Sequence, residues 1–287
     1  VGEDFIVPND RPDFTEMMLD RIRSCYERDK NHAAILIWSL GNEAFGGKNL
    51  KMMADLFREL DDTRLVHYEG IFHDRRYNDS SDMESQMYPS VADIEKFLKE
   101  NKDKPFICCE YTHAMGNSCG GMSYYTDLTD REMRYQGGFI WDYIDQAILS
   151  RSRYGKKVYL YGGDMGDIPN DGNFSGDGIA FADGSLSPKV QEVKYNYQNI
   201  VAEVSGAEVK IINRSMFAST AEYSCIAALA RDGVEIASAV LETDVPPLSE
   251  RIYPLPFAEQ ARPGEYAVTL SFRLREDTPW ADAGFEV

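Results

Sequence analysis

The chain has 287 residues, 43% of them hydrophobic, enough for a buried core in about two domains at the usual ~100–200 residues per domain. Asp and Glu outnumber Lys and Arg by 48 to 30, a formal charge of −18, which argues against nucleic acid or an acidic membrane face as partner and favours a neutral ligand. The apolar runs are strand-sized and far short of the ~20 residues of a membrane span, so a soluble chain with no membrane partner is expected.

Val1 opens the sequence without an initiator Met or a signal-like apolar stretch. Targeting information is expected to be absent or to lie upstream, with a cytoplasmic location. Asp13-Phe14-Thr15-Glu16 reads as an N-cap with its capping-box glutamate, and Phe14, Met18, Ile22 and Cys25 follow at helical spacing. A strand over 35–40 comes next, then the Gly46-Gly47 loop and a helical stripe of Leu50, Met53, Phe57 and Leu60. Residues 65–68 form a short strand that ends at Glu69-Gly70. The pattern then predicts a strand over 83–88, a helix over 91–100, a strand over 106–109, a helix over 121–134 and a strand over 137–141.

This alternation predicts a parallel sheet with helical crossovers. Five strands are visible where a closed barrel needs eight, so the sheet is either open or begins partway through a barrel. The segment 161–187 is rich in Gly, Asp and Asn, too long and polar for a mere connector, and reads as a functional loop. From about Val201 the texture changes to short strands over 201–204, 208–212, 222–229, 235–241, 251–255 and 266–273. Turn signals at Arg231-Asp232-Gly233, Pro246-Pro247 and Pro263-Gly264 separate them, the spacing of a small antiparallel β-sandwich.

Of the five cysteines, Cys108 and Cys109 are neighbours that would face opposite sides of a strand, so no disulfide framework is expected. His32, His67, His73 and His113 are scattered, and no Cys/His spacing resembles a zinc site.

Two segments carry the chemistry. Ile35-Leu36-Ile37-Trp38-Ser39-Leu40-Gly41-Asn42-Glu43 runs an apolar strand into an Asn-Glu pair, and Pro105-Phe106-Ile107-Cys108-Cys109-Glu110 repeats the design. Strand C-termini of an α/β barrel face the active-site mouth, so Glu43 and Glu110 are candidates for one catalytic pair, as glycoside hydrolysis requires. Either glutamate alone reads more plainly as a loop residue; their joint occurrence moves the balance toward catalysis. Glu69 competes for the same roles, or is a structural carboxylate paired with an arginine. Trp141, Tyr88, Tyr111 and His113 fall at strand ends where aromatic rings pack on sugar C–H faces, with core packing as the alternative. Asp164, Asp167, Asp171 and Asp177 are either cation ligands or solvated turns.

Four ordered motifs resemble the large bacterial β-galactosidases of glycoside hydrolase family 2. They are Ile37-Trp38-Ser39-Leu40-Gly41-Asn42-Glu43, Cys109-Glu110-Tyr111-Thr112-His113-Ala114-Met115-Gly116-Asn117-Ser118, Gly137-Gly138-Phe139-Ile140-Trp141-Asp142, and Tyr161-Gly162-Gly163-Asp164 with Asp167-Ile168-Pro169-Asn170-Asp171. The resemblance implies an α/β plus all-β chain: the C-terminal part of a TIM (β/α)8 barrel over 1–199, then an antiparallel β-sandwich over 200–287. It implies retaining hydrolysis of terminal β-galactosides such as lactose, with Glu43 as acid/base, Glu110 as nucleophile and Asn42 near the 2-hydroxyl. Tyr88, His113 and Trp141 would line the galactose subsite, with Asn170 in a loop near it. Glu43 would also ligate a Mg²⁺, and Phe174 and Asp177 would bind a Na⁺, although the family often has Asn where this chain has Asp177. The family's earlier strands and remaining Mg²⁺ ligands are not in this chain, so it resembles an internal fragment of a homo-oligomeric parent, poorly active alone. Rival readings are a β-glucuronidase or β-mannosidase of the same family, or a non-catalytic carbohydrate-binding module. A glucuronidase needs cations for the sugar carboxylate, so a subsite without Arg or Lys argues against it.

Overall fold

The computed structural model describes residues 7–258 and 262–287. The chain enters through a 3-10 turn, Pro12–Phe14, into helix α1 (Thr15–Asp29). The expected Asp13 cap is not formed, because the Asp13 carboxylate pairs with Arg11 at 2.7 Å, and Pro12 sets a tight turn instead. Strand β1 (Ile37–Ser39), helix α2 (Lys48–Leu60) and strand β2 (Leu65–His67) follow, then β3 (Glu84–Met87), α3 (Val91–Glu100), β4 (Phe106–Tyr111), α4 (Met122–Arg131) and β5 (Tyr135–Ile140).

β1 and β2 pair in parallel with Trp38 opposite Val66, and β3, β4 and β5 form a second parallel group. Asp82 joins the two groups. Its N–H donates to the Val66 carbonyl at 2.8 Å, and its carboxylate accepts the Val66 N–H at 2.7 Å. The five strands thus follow one another in chain order, as the alternating pattern predicts.

One face of β1 and β2 is held by helices. Trp38 stacks on Phe57 of α2 with ring centroids 5.2 Å apart, and its indole N–H donates to Asp61 at 2.9 Å. Thr63, Trp38 and Arg64 all donate to Asp61, which holds its carboxyl well below the usual range. Glu84 on β3 is fully buried and takes two bonds from Arg75, at 2.7 and 2.8 Å. A second cluster around Ile94, Leu98, Phe106, Cys108 and Leu128 packs α3 and α4 on β4.

The other face, bearing Ile37, Ser39, His67, Ile107, Cys109 and Phe139, lines a cavity. The His67 ring lies between the Ser39 and Ser85 hydroxyls, at 3.0 and 2.8 Å, and links three strands. Burial pushes its pKa down to about 4, so the ring is neutral at pH 7.

Helix α4 ends at Arg131 and β5 starts at Tyr135, earlier than the glycine pair suggests, because Tyr135 is buried and pairs with Phe106 of β4. An antiparallel hairpin, β6 (Ile148–Arg151) with β7 (Lys157–Leu160), and helix α5 (Lys189–Tyr197) were not legible in the sequence. The hairpin residues are mostly exposed and α5 has no fully buried residue, which leaves little burial periodicity to read. Within 161–187 the structure has turns and isolated bridges at Ala180 rather than strands or helices.

The chain divides into two compact units, one ending at Asn196 and the other beginning at Tyr197. The second holds β8 (Ile200–Ser205), β9 (Glu208–Asn213), β10 (Tyr223–Arg231), β11 (Val234–Leu241), β12 (Ser249–Pro254) and β13 (Tyr266–Leu274). They form two three-stranded antiparallel sheets, ordered β12-β9-β8 and β11-β10-β13. Val209 and Ile211 of one sheet share a core with Cys225, Leu241 and Phe272 of the other. Among the described residues no helix is long and apolar enough to cross a membrane.

Phe57 is fully buried against Trp38, so Phe57→Ala is expected to destabilise the first unit by about 3–5 kcal/mol. Denaturant unfolding followed by tryptophan fluorescence measures this, and a loss below about 1 kcal/mol contradicts the central place of the pair.

Candidate active site

The ends of β1, β2, β3 and β4 bring the polar residues together. Glu110 lies near the end of β4 and is 9% exposed. Tyr88, just after β3, has φ +50°. This turn lets its N–H donate to the Glu110 carbonyl at 2.8 Å while its hydroxyl donates to Glu110 Oε2 at 2.6 Å. Burial chiefly raises the Glu110 pKa, the Tyr88 bond opposes that, and the Glu43 charge raises it further. Burial and the neighbouring carboxylate hold the Tyr88 phenol far above its ordinary value, so it stays a proton donor.

Glu43 stands in the loop after β1 with an exposed side chain and φ +52°. Its N–H donates to Oε1 of Glu69 at 2.6 Å. Glu69 follows β2 and is 3% exposed; burial raises its pKa, the Glu43 N–H lowers it, and the charges of Glu43 and Glu110 raise it again. Of the two readings left open for Glu69, the arginine-paired one finds no partner among the described residues, so Glu69 is a third carboxyl of the site rather than half of an ion pair.

A cavity of about 410 Å³ is lined by Asn42, Glu69, Glu110, Cys109, His67 and Phe139, among others. Burial pushes the Cys109 thiol up to about 12, which keeps it protonated. The His113 ring lies 5.8 Å from Tyr88 and 6.0 Å from Phe174, stacked on the latter. Trp141 donates its indole N–H to Asp177 Oδ2 at 3.3 Å. Asp177 is 2% exposed, and its Oδ1 has no hydrogen-bond partner. Asn170 turns back into its own loop, donating to the Asp167 carbonyl and accepting from the Gly172 N–H.

Asn42 and Glu110 thus line the hollow, Tyr88 is bonded to Glu110, His113 lies against Tyr88 and Phe174, and Trp141 is paired with Asp177. Sequence reasoning missed the bond from Glu43 to Glu69 and the serine–histidine–serine bridge. The one available signal for the first was the repeated placement of a glutamate directly after an apolar strand. Among the described residues no group of three His, Cys, Asp or Glu side chains is placed to hold a metal ion.

Residues 1–202 match the family described as glycosyl hydrolases family 2, TIM barrel domain, and residues 209–287 match beta-galactosidase, domain 4. The chain is 47% identical to a beta-galactosidase of Priestia megaterium, over 100% of this chain and 28% of that protein. It is 45% identical to a beta-galactosidase of Halalkalibacterium halodurans, over 98% of this chain and 28% of that protein. A crystal structure of a Bacteroides uniformis β-glucuronidase is similar over 93% of this chain and 37% of that one, with 14% identity and a TM-score of 0.49. The chain belongs to glycosyl hydrolase family 2, and its first unit to that family's TIM barrel domain.

The raised Glu110 pKa has a consequence for stability. A carboxyl whose folded pKa lies above its unfolded value of about 4.3 contributes its stability below that value and loses it as pH rises through the folded pKa. Glu110→Gln, which keeps an acceptor for Tyr88, is therefore expected to raise Tm at pH 7, each 1 kcal/mol gained showing as about 2–4 °C in a domain of this size. The gain should vanish near pH 4, and a lower Tm at pH 7 in calorimetry contradicts the assignment.

Proposed function

We propose that this chain carries the catalytic pair of a retaining β-galactosidase that hydrolyses terminal β-galactosides such as lactose. The chain spans 28% of the curated relatives quoted above, both named beta-galactosidase, so the activity is assigned to the protein in which these residues work. The observation that carries the reading is the Glu110 carboxyl, buried at the cavity wall, aimed by the Tyr88 hydroxyl at 2.6 Å and acted on by the charge of Glu43.

A glycosidic bond breaks when its leaving oxygen gains a proton and its anomeric carbon gains electron density. In this reading ionised Glu110 attacks the anomeric carbon and protonated Glu43 gives its proton to the departing oxygen, leaving a glycosyl ester on Glu110. Water then gives a proton to Glu43 and attacks the same carbon, which frees Glu110 and yields galactose with its configuration retained. The Tyr88 hydrogen bond favours ionised Glu110 before attack and weakens as the ester forms. Asn42 supplies an amide to a sugar hydroxyl, and the His113 and Trp141 rings offer faces for sugar C–H groups. Among the described residues none that lines the cavity is Arg or Lys, which disfavours a glucuronide substrate.

The orphaned Asp177 Oδ1, with the Phe174 backbone nearby in sequence, fits a Na⁺, which would neutralise the buried carboxylate and offer a coordination position to a sugar hydroxyl. Asp177 by itself orients Trp141 through the indole N–H. Mg²⁺ does not fit in the same way: Glu43 lacks a cluster of further ligands among the described residues, and no step is assigned to that ion.

A 2-deoxy-2-fluoro-β-galactoside with an activated leaving group is expected to arrest turnover as a stable ester. Peptide mass spectrometry should find the added sugar on Glu110. A label on Glu43 or Glu69 contradicts the role assignment.

A further inference from the structure

The geometry points to Glu69 as the residue that positions Glu43 for proton donation, by holding the backbone of the 41–47 loop; this rests on the acid/base role proposed for Glu43. Glu43 and Phe45 both take positive φ, +52° and +59°, where a side chain costs roughly 1–2 kcal/mol per residue. Such a conformation persists only when its surroundings fix it. The surroundings here are the segment after β2. Glu69 accepts the Glu43 N–H at 2.6 Å, and Phe45 stacks on His73 with centroids 5.5 Å apart. Gly46 packs so closely on the Asp74 side chain that a Cβ there would overlap it. Gly70, next to Glu69, has no room for a Cβ either, since that atom would stand 2.9 Å from the Tyr68 hydroxyl.

Of these ties, the Glu69 bond alone acts on the peptide of Glu43 itself. A buried carboxylate is a strong and directional acceptor for an N–H. With no cation against it among the described residues, Glu69 directs that bond to the loop. General acid catalysis needs the donor within hydrogen-bond reach of the leaving oxygen, and small displacements are costly. Glu69 acts through Glu43 and need not touch the substrate.

The test compares two substrates on the whole protein in which these residues work. A 2,4-dinitrophenyl β-galactoside leaves without a proton, whereas methyl β-galactoside needs one. Glu69→Leu is expected to lower kcat/KM on the methyl galactoside by about a hundredfold and on the dinitrophenyl galactoside by less than about threefold. Glu69→Gln, which keeps an acceptor oxygen, is expected to restore the methyl galactoside activity to within about tenfold of the unmodified protein. If Glu69→Leu does not fold, Glu69→Asp, whose oxygen is withdrawn by one methylene, should give the same split at smaller size. An equal loss on both substrates, the mark of a merely structural role, overturns the proposal. If the unmodified protein turns over neither substrate, the β-galactosidase reading itself fails and takes this proposal with it.

Discussion

Glu69 and Glu110 are buried at one cavity, the charge of Glu110 acts on Glu69, and neither has a lysine or arginine against it among the described residues. Charged groups leave water at considerable cost, and like charges in one hollow add to it. The protein offsets that cost with donors that carry no net charge: the Tyr88 hydroxyl for Glu110 and the Glu43 peptide for Glu69. Both donors come from residues with positive φ, so the backbone is bent at the points where a donor must be aimed. An arginine would satisfy either carboxylate more strongly, but would also fix its charge and occupy the hollow.

The rigidity behind those bends comes from the opposite side of the sheet. Trp38, Phe57 and Asp61 clamp β1 to α2, Asp82 joins β2 to the next parallel group, and Glu84 with Arg75 closes the buried side of β3. On the cavity side the strands are linked by the neutral His67 ring between two serines. A helix-facing core and, on the cavity side, the serine–histidine–serine bridge let the strand ends hold strained loops without losing register.

The strand-end glutamates were legible as a candidate pair because two apolar runs of one parallel-sheet pattern each stop at a glutamate, where either alone reads as a loop residue. The partner of Glu69 was not. Three arginines lie close to it in sequence, yet Arg64 goes to Asp61, Arg75 to Glu84 and Arg76 to Asp74, each fixed by a turn that sequence spacing does not encode. The hairpin over 148–160 was missed because its side chains are largely exposed on both faces. The start of β5 was set by one buried residue, Tyr135, rather than by the glycine pair that follows it. Burial patterns carried the architecture, while the polar links that aim the site depend on tertiary contacts between loops.

The most direct test of the central claim is the configuration of the first sugar released, followed by proton NMR during rapid hydrolysis of an aryl β-galactoside. A Glu43–Glu110 pair acting by double displacement releases β-galactose first, with the α anomer appearing later by mutarotation. α-Galactose as the first product would mean that water, not Glu110, attacks the anomeric carbon, and the account of this site would be wrong.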